Sequence, residues 1–226
     1  MGIENTKSPP DQTKERLLKT AESLFATKGY YAVSVREITQ AAECNLAAVN
    51  YHFGNKQNLY LAVFRHCFIP RGKKIHRCFT NAMAPLDSPS TADIIKALAG
   101  AFLEGPITEK ERFHHSQLIS REMAAPTAAF NILMEQAFRP LFNDLLNYLR
   151  TALPEIKNEE MMLLNIFSIF SMILHFSFAR PLISSITGQN YDKDFKTKLI
   201  NHITDFALHG LYGRRGFNAP RTQGPE

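Results

Sequence analysis

Residues 34–56 read SVREITQAAECNLAAVNYHFGNK, a stretch that cannot fold without help from the rest of the chain. Ser34 is placed to cap a helix, and Glu37, three residues on, completes the pattern of a capping box. Val35, Ile38, Ala41 and Ala42 recur at helical spacing and give an apolar face about two turns long. Glu43, Cys44 and Asn45 interrupt it, and Asn45 suits the N-cap of a second helix, Leu46 to Phe53. Helices this short do not recover the cost of nucleation, so neighbours must hold both. The expected inward side is Leu46, Val49 and Phe53; the outward side is Ala47, Ala48, Asn50, Tyr51 and His52. Small residues beside hydrogen-bonding and aromatic ones suit a helix lying close against a partner, and the DNA major groove admits one helix.

The neighbours are legible on either side. A helix is predicted over Asp11–Lys28, with Leu17, Leu18, Ala21, Leu24 and Phe25 on one face and Gly29 as its stop. Asn55 caps another from Lys56, with Leu59, Tyr60, Val63, Phe64 and Cys67 inward. Pro70-Arg71-Gly72 should kink or break that helix, and apolar spacing resumes at Ile75, Cys78 and Phe79. Beyond Thr91 the pattern stays helical, over about 91–104, 109–124, 127–151 (bent at Pro140), 159–179 and 192–212. No alternating strand and no repeat occurs, so the predicted class is all-α. The expected organisation is a loose arm at 1–10, a DNA-binding domain at 11–64 whose connecting helix runs to about 82, a second domain at 83–212 and a mobile tail at 213–226. Pro85 and Pro89 mark the boundary.

Charge supports a polyanionic partner for the first part. Residues 1–80 hold 12 Lys/Arg against 6 Asp/Glu, a net of +6, and residues 81–226 hold 14 against 15. No acid occurs from Cys44 to Leu86, whereas Lys56, Arg65, Arg71, Lys73, Lys74 and Arg77 all do. A solvated helix face explains single lysines but not the missing acids. Three cysteines do not form a disulfide framework, and the first ten residues do not read as a signal peptide; a reducing cytoplasm is expected.

Met161–Phe178 is apolar enough to raise a membrane span. Asn165, Ser168, Ser171 and His175 nevertheless form a polar stripe along it, and Glu155, Glu159 and Glu160 flank one end. A helix covered partly by its own domain and partly by a second copy fits better, with no membrane. The last helix, carrying Phe195, Leu199, Ile203 and Phe206, is its natural partner.

Motifs for chemistry are weak. His66-Cys67 with His76-x-Cys78 resembles a zinc set, but adjacent residues diverge by about 100° on a helix. His114-His115 beside Glu111 lacks any metalloprotease, nucleophile-elbow or phosphate-loop context. No metal, cofactor or catalytic residue is therefore assigned. Arg121, Arg139 and Arg180 fall near buried faces, where pairing with Glu122, Glu135 or Glu104 is the simple expectation and holding an acidic effector the other.

Residues 13–64 resemble the DNA-binding domain of the TetR/AcrR family of bacterial repressors, in the pieces TKERLLKTAESLFATKGY, SVREITQAA and AAVNYHFGNKQNLYLAV. Where that family has Gly-Val in the turn, this chain has Glu43-Cys44, so either Glu43 is expected to hold a less comfortable backbone or the turn to differ slightly. Arg112–Leu149 resembles the ligand domain of the CecR-like group, whose members regulate drug sensitivity and export; Arg121-Glu122, Pro126 and Phe138-Arg139-Pro140 carry that likeness. The resemblance implies a homodimeric repressor with a three-helix helix-turn-helix domain and a helical ligand-binding and dimerisation domain, released from a palindromic operator by a small-molecule effector. It implies that Arg36, Ala47, Ala48 and Asn50 face bases and that Ser34, Tyr51, His52 and Lys56 hold phosphates. It further implies an effector pocket near His115, Arg121, Phe138 and His175, and a four-helix dimer seam with Ser168, Ser171, Phe195, Leu199, Ile203 and Phe206. The rival readings are a small helical enzyme or carrier using the C-terminal cavity, and an architectural DNA binder with no effector.

Overall fold

The computed structural model describes residues 9–212, in which every regular element is a helix. The tail expected at 213–226 and most of the arm expected at 1–10 lie outside the described residues. Helix α1 begins at Pro9, in the first turn, where a proline loses no hydrogen bond.

The described residues form two compact units, one running up to Lys74 and including Ile107–Pro140, the other holding Ile75–Pro106 and Leu141 onward. The expected boundary at 83–90 instead falls on the linker between two helices of the second unit. In the first unit, α1 (Pro9–Lys28) packs on α2 (Val35–Ala41), α3 (Ala47–Phe53), α4 (Lys56–Val63) and α7 (Glu109–Ala124). Leu17, Phe25, Ile38, Val49, Leu59, Phe64 and Leu118 are wholly buried there. Each such side chain contributes roughly 1.5–3 kcal/mol, enough to hold α2 and α3, which their own hydrogen bonds cannot.

Neither proline-containing segment breaks its helix. A π-turn at Phe64–Phe68 joins α4 to α5 (Ile69–Met83), and a second at Met134–Phe138 joins α8 (Ala128–Leu133) to α9 (Arg139–Ala152). Both end two residues before a proline, Pro70 and Pro140. A proline ring collides with the carbonyl four residues back in an α-helix. Widening the preceding turn to an i→i−5 bond, Ile69 N–H to Phe64 O and Arg139 N–H to Met134 O, accommodates the ring without ending the helix. Phe64 and Phe68, both buried, hold the first such turn in place.

In the second unit α6 (Thr91–Leu103) is central, packed by α10 (Glu159–Phe178) and α12 (Lys193–Tyr212). It opens with a capping box between Ser90 and Asp93 and buries Ile94, Ile95, Leu98 and Leu103. Helix α11 (Arg180–Thr187) was not expected. Its signals were Pro181 in the first turn and Gly188, left-handed at φ 67°, just past the end.

Candidate nucleic-acid interface

Short-range capping chemistry sets where α2 and α3 begin. Ser34 adopts an extended backbone and its hydroxyl accepts from Glu37 N–H at 3.1 Å, starting α2. The Glu37 carboxylate lies 2.5 Å from Lys28 Nζ, which ties the start of α2 to the end of α1. The Lys28 hydrogen bond holds the Glu37 carboxyl below its ordinary range. After Ala42 the chain turns through Glu43 at φ 51°, the one described non-glycine residue in the left-handed region. That backbone costs a side-chain-bearing residue on the order of 1 kcal/mol. Cys44 N–H donates to Thr39 O at 3.0 Å and closes the turn.

Asn45 Oδ1 accepts from Ala47 N–H at 2.9 Å, so α3 starts one residue later than predicted. Leu46 consequently stays 54% exposed, a correction to its expected inward place, while Val49 is buried and Phe53 half-buried. The outer side of α3 carries Ala47, Asn50 and Tyr51, all exposed, with Tyr51 at 80%. Ser34 and Arg36 are exposed beside it on α2 and its cap, and Ala48 and His52 are half-buried. The His52 ring meets Tyr51 edge-on, centroids 4.9 Å apart. Lys56 is half-buried with its ammonium 4.4 Å from the centroid of the Tyr30 ring. Burial lowers the Lys56 pKa.

A set of polar contacts between residues far apart in sequence, with no local signal, fastens this head to α7 within the same unit. Arg71 forks onto both carboxylate oxygens of buried Glu22 and reaches Glu111 at 3.1 Å; His114 Nδ1 lies 3.8 Å from Glu22. Burial pushes the Glu22 carboxyl up, but His114 and Arg71 outweigh it and the pKa falls below the ordinary value. Tyr60 donates to buried Glu122 at 2.7 Å. Arg121 donates to the carbonyls of Ala26 and Thr27, at 3.3 and 3.0 Å, where the C-terminal end of α1 favours a cation. Pairing with Glu122 is thus not its role. Arg139 does meet Glu135, at 3.0 Å, whereas Arg180 donates to the carbonyls of Ser177 and Leu103 rather than reaching Glu104.

The four residues expected at an effector pocket have separate settings, three in the first unit and His175 in the second. His115 is buried in the first unit, stacked on Phe68; Arg121 holds α1; Phe138 is half-buried at the end of the second π-turn; His175 is exposed on α10. Of the expected seam residues, Ser168, Ser171 and Phe206 are exposed, Phe206 at 64%. Phe195, Leu199 and Ile203 are buried within the second unit itself, because that face of α12 packs inward. His76 of the supposed zinc set pairs with Asp144 at 2.7 Å, and burial pushes the Cys67 thiol up to about 12.

The family of bacterial regulatory proteins named for TetR matches residues 17–63, the helix-turn-helix just described. The C-terminal domain of the transcriptional dual regulator CecR matches residues 77–211. The chain belongs to the CecR group of the TetR family. CecR of Shigella flexneri is similar throughout, 30% identical over 90% of this chain and 95% of its own length. The repressor AcnR of Corynebacterium glutamicum is 36% identical over 25% of this chain and 30% of its own. Among solved structures, a HlyIIR mutant protein superposes with a TM-score of 0.61 at 22% identity, covering 87% of this chain and 99% of that one, which bears on the fold. The chain is thus a transcriptional regulator of the TetR family, and the helix-turn-helix match includes α2 and α3. Its relatives are regulators and not enzymes.

Proposed function

We propose that this regulator binds a palindromic operator as a homodimer, represses from it and leaves it when a small-molecule effector binds. The observation that carries the reading is the outer side of α3, where Ala47, Asn50 and Tyr51 stand exposed on a stretch without a single acid from Cys44 to Leu86. Asn50, Ala47 and Ala48 meet base edges, with Arg36 reaching a base or phosphate; Ser34, Tyr51, His52 and Lys56 hold phosphates. Two copies meet through α10 and α12, whose exposed Leu164, Phe167 and Phe206 give an apolar surface beside Ser168 and Ser171. The effector belongs to the second unit, where an apolar crevice lined by Ile95, Leu98, Leu149 and Ile166 now holds only about 10 Å³. Such a ligand binds a state with those helices apart and not the closed one, which is the differential affinity that release requires. Drug export or sensitivity genes are the proposed targets, by the resemblance to the CecR-like group.

Footprinting on sequences selected from random DNA tests the reading. The expected result is two symmetric half-sites and an affinity that falls steeply with salt as counterions leave the phosphates. Asn50→Ala relaxes preference at one base position by roughly 1–3 kcal/mol, whereas Lys56→Ala weakens all sequences alike. An asymmetric footprint, or equal loss of affinity without loss of preference in both variants, overturns it.

A further inference from the structure

The first unit contains a small open cavity of about 110 Å³, lined by Tyr30, Tyr31, Gln57, Tyr60, Leu61 and Thr127. Its walls are set at angles to one another. The rings of Tyr30 and Tyr31 lie 5.2 Å apart at 77°, and those of Tyr30 and Tyr60 lie 4.9 Å apart at 54°. Tyr60 is immobilised by its hydrogen bond to Glu122, while Tyr31 stands 85% exposed at the rim. A dry cavity of about 150 Å³ is known to hold benzene, so this one, open on one side, suits a single ring with a substituent outside. Edge and offset contacts with three aromatic walls favour a flat aromatic ring over a saturated one.

Charge decides the substituent. Aromatic walls also suit cations, but Lys56 already places its ammonium 4.4 Å from the Tyr30 centroid. The carboxylate bonded to the Tyr60 and Thr127 walls, Glu122, is 1% exposed and accepts from Tyr60 Oη, Thr127 N–H and Thr127 Oγ1. Buried behind Tyr60 and Thr127, it presents no surface to a cation entering from the open side. Lys56 swings on a four-carbon stem with three rotatable donors, which matches a carboxylate at the rim. We infer that this cavity binds a single-ring aromatic carboxylate, its ring among Tyr30, Tyr31 and Tyr60 and its anion on Lys56. The ligand then competes with DNA for Lys56; that consequence rests on the phosphate role proposed above, whereas the binding does not.

The test uses the full chain and 4-fluorobenzoate, followed by fluorine NMR. Saturable binding is expected, weakened about tenfold by Tyr31→Ala, which removes one aromatic wall at an exposed position where folding is not at stake. Lys56→Met weakens 4-fluorobenzoate and leaves 4-fluorobenzyl alcohol unaffected. No saturable binding, equal affinity in Tyr31→Ala, or preference for a 4-fluorobenzyl trimethylammonium ion overturns the inference. A titration of operator complex with the same acid separates the two claims. Binding without loss of DNA affinity leaves the cavity standing and removes Lys56 from the phosphate contacts.

Discussion

His115 lies face to face with Phe68, centroids 3.7 Å apart, and its Nδ1 has no hydrogen-bond partner among the described residues. Burial first, and then the charges of Arg71 and Arg112, push its pKa down to about 3 despite Glu22 and Glu111 nearby. The ring is therefore neutral in the folded protein throughout the range where a free histidine titrates near 6.5. Below pH 6.5 the unfolded chain takes up a proton that the folded chain refuses, so stability is lost as pH falls. Glu22 and Glu111, whose pKa values lie below 4.5, act further down: their contribution is present above that value and lost below it. Between about pH 6.5 and 4.5 His115 thus contributes a loss of up to ~1.4 kcal/mol per pH unit. His115→Phe keeps the stacking and removes the proton. Urea melts at about pH 7, 6 and 5 should show the variant losing roughly 1–2 kcal/mol less than wild type. Parallel losses would mean that His115 takes a proton without disturbing its site.

At the scale of elements, the two π-turns end close together: a Cβ added at Gly72 would lie 3.6 Å from that of Ala137. That distance is ordinary contact, so Gly72→Ala fits, and a helix interior gains up to about 1 kcal/mol from the exchange. Thermal melts should show the variant more stable. If the widened turn flexes when effector binds, the variant also needs a different effector concentration to release operator, whereas superimposable release curves would make the segment a passive strut. The prolines themselves were readable, but their outcome was not. Whether a proline ends a helix or is absorbed depends on what holds the next turn, here the buried rings of Phe64 and Phe68. The α2–α3 motif was legible because its caps act over two or three residues, and of the two expectations for its turn the less comfortable Glu43 holds, at φ 51°. Leu46 failed by a one-residue shift in where α3 begins. The partners of Arg121 were not legible for another reason: it bonds to Ala26 and Thr27, positions 95 and 94 away, which no local pattern announces.

For the whole molecule, the relevant unit is the proposed dimer. Helix α10 is apolar and long enough to cross a membrane, yet the rows of Leu164, Phe167, Ser168, Ser171 and His175 that it exposes mix apolar and polar groups. A second copy covers such a face better than lipid does. Ser171 is exposed in the single chain, so Ser171→Glu costs the monomer little and loads its penalty on association. Sedimentation should show monomer, with operator binding lost and the melting curve hardly moved. A dimer that persists with normal DNA affinity would take α10 out of the seam. Net charge of +6 over residues 1–80 remains available to DNA in either form, so residual non-specific binding survives the substitution and disappears with salt.

Gly29 and Arg121 also constrain what related chains can become. The backbone at Gly29 has φ 87°, and a Cβ there would come within 2.7 Å of Arg121 Nη1. Any side chain at 29 must expel the guanidinium that caps α1, and a chain that loses Arg121 still faces the left-handed backbone. Arginine at 121 therefore requires glycine at 29, whereas glycine at 29 is required by its own backbone with or without the arginine. Among descendants of this gene, an arginine at this place on the seventh helix should occur only beside a glycine at the end of the first, a signature visible in genomes before any protein is purified.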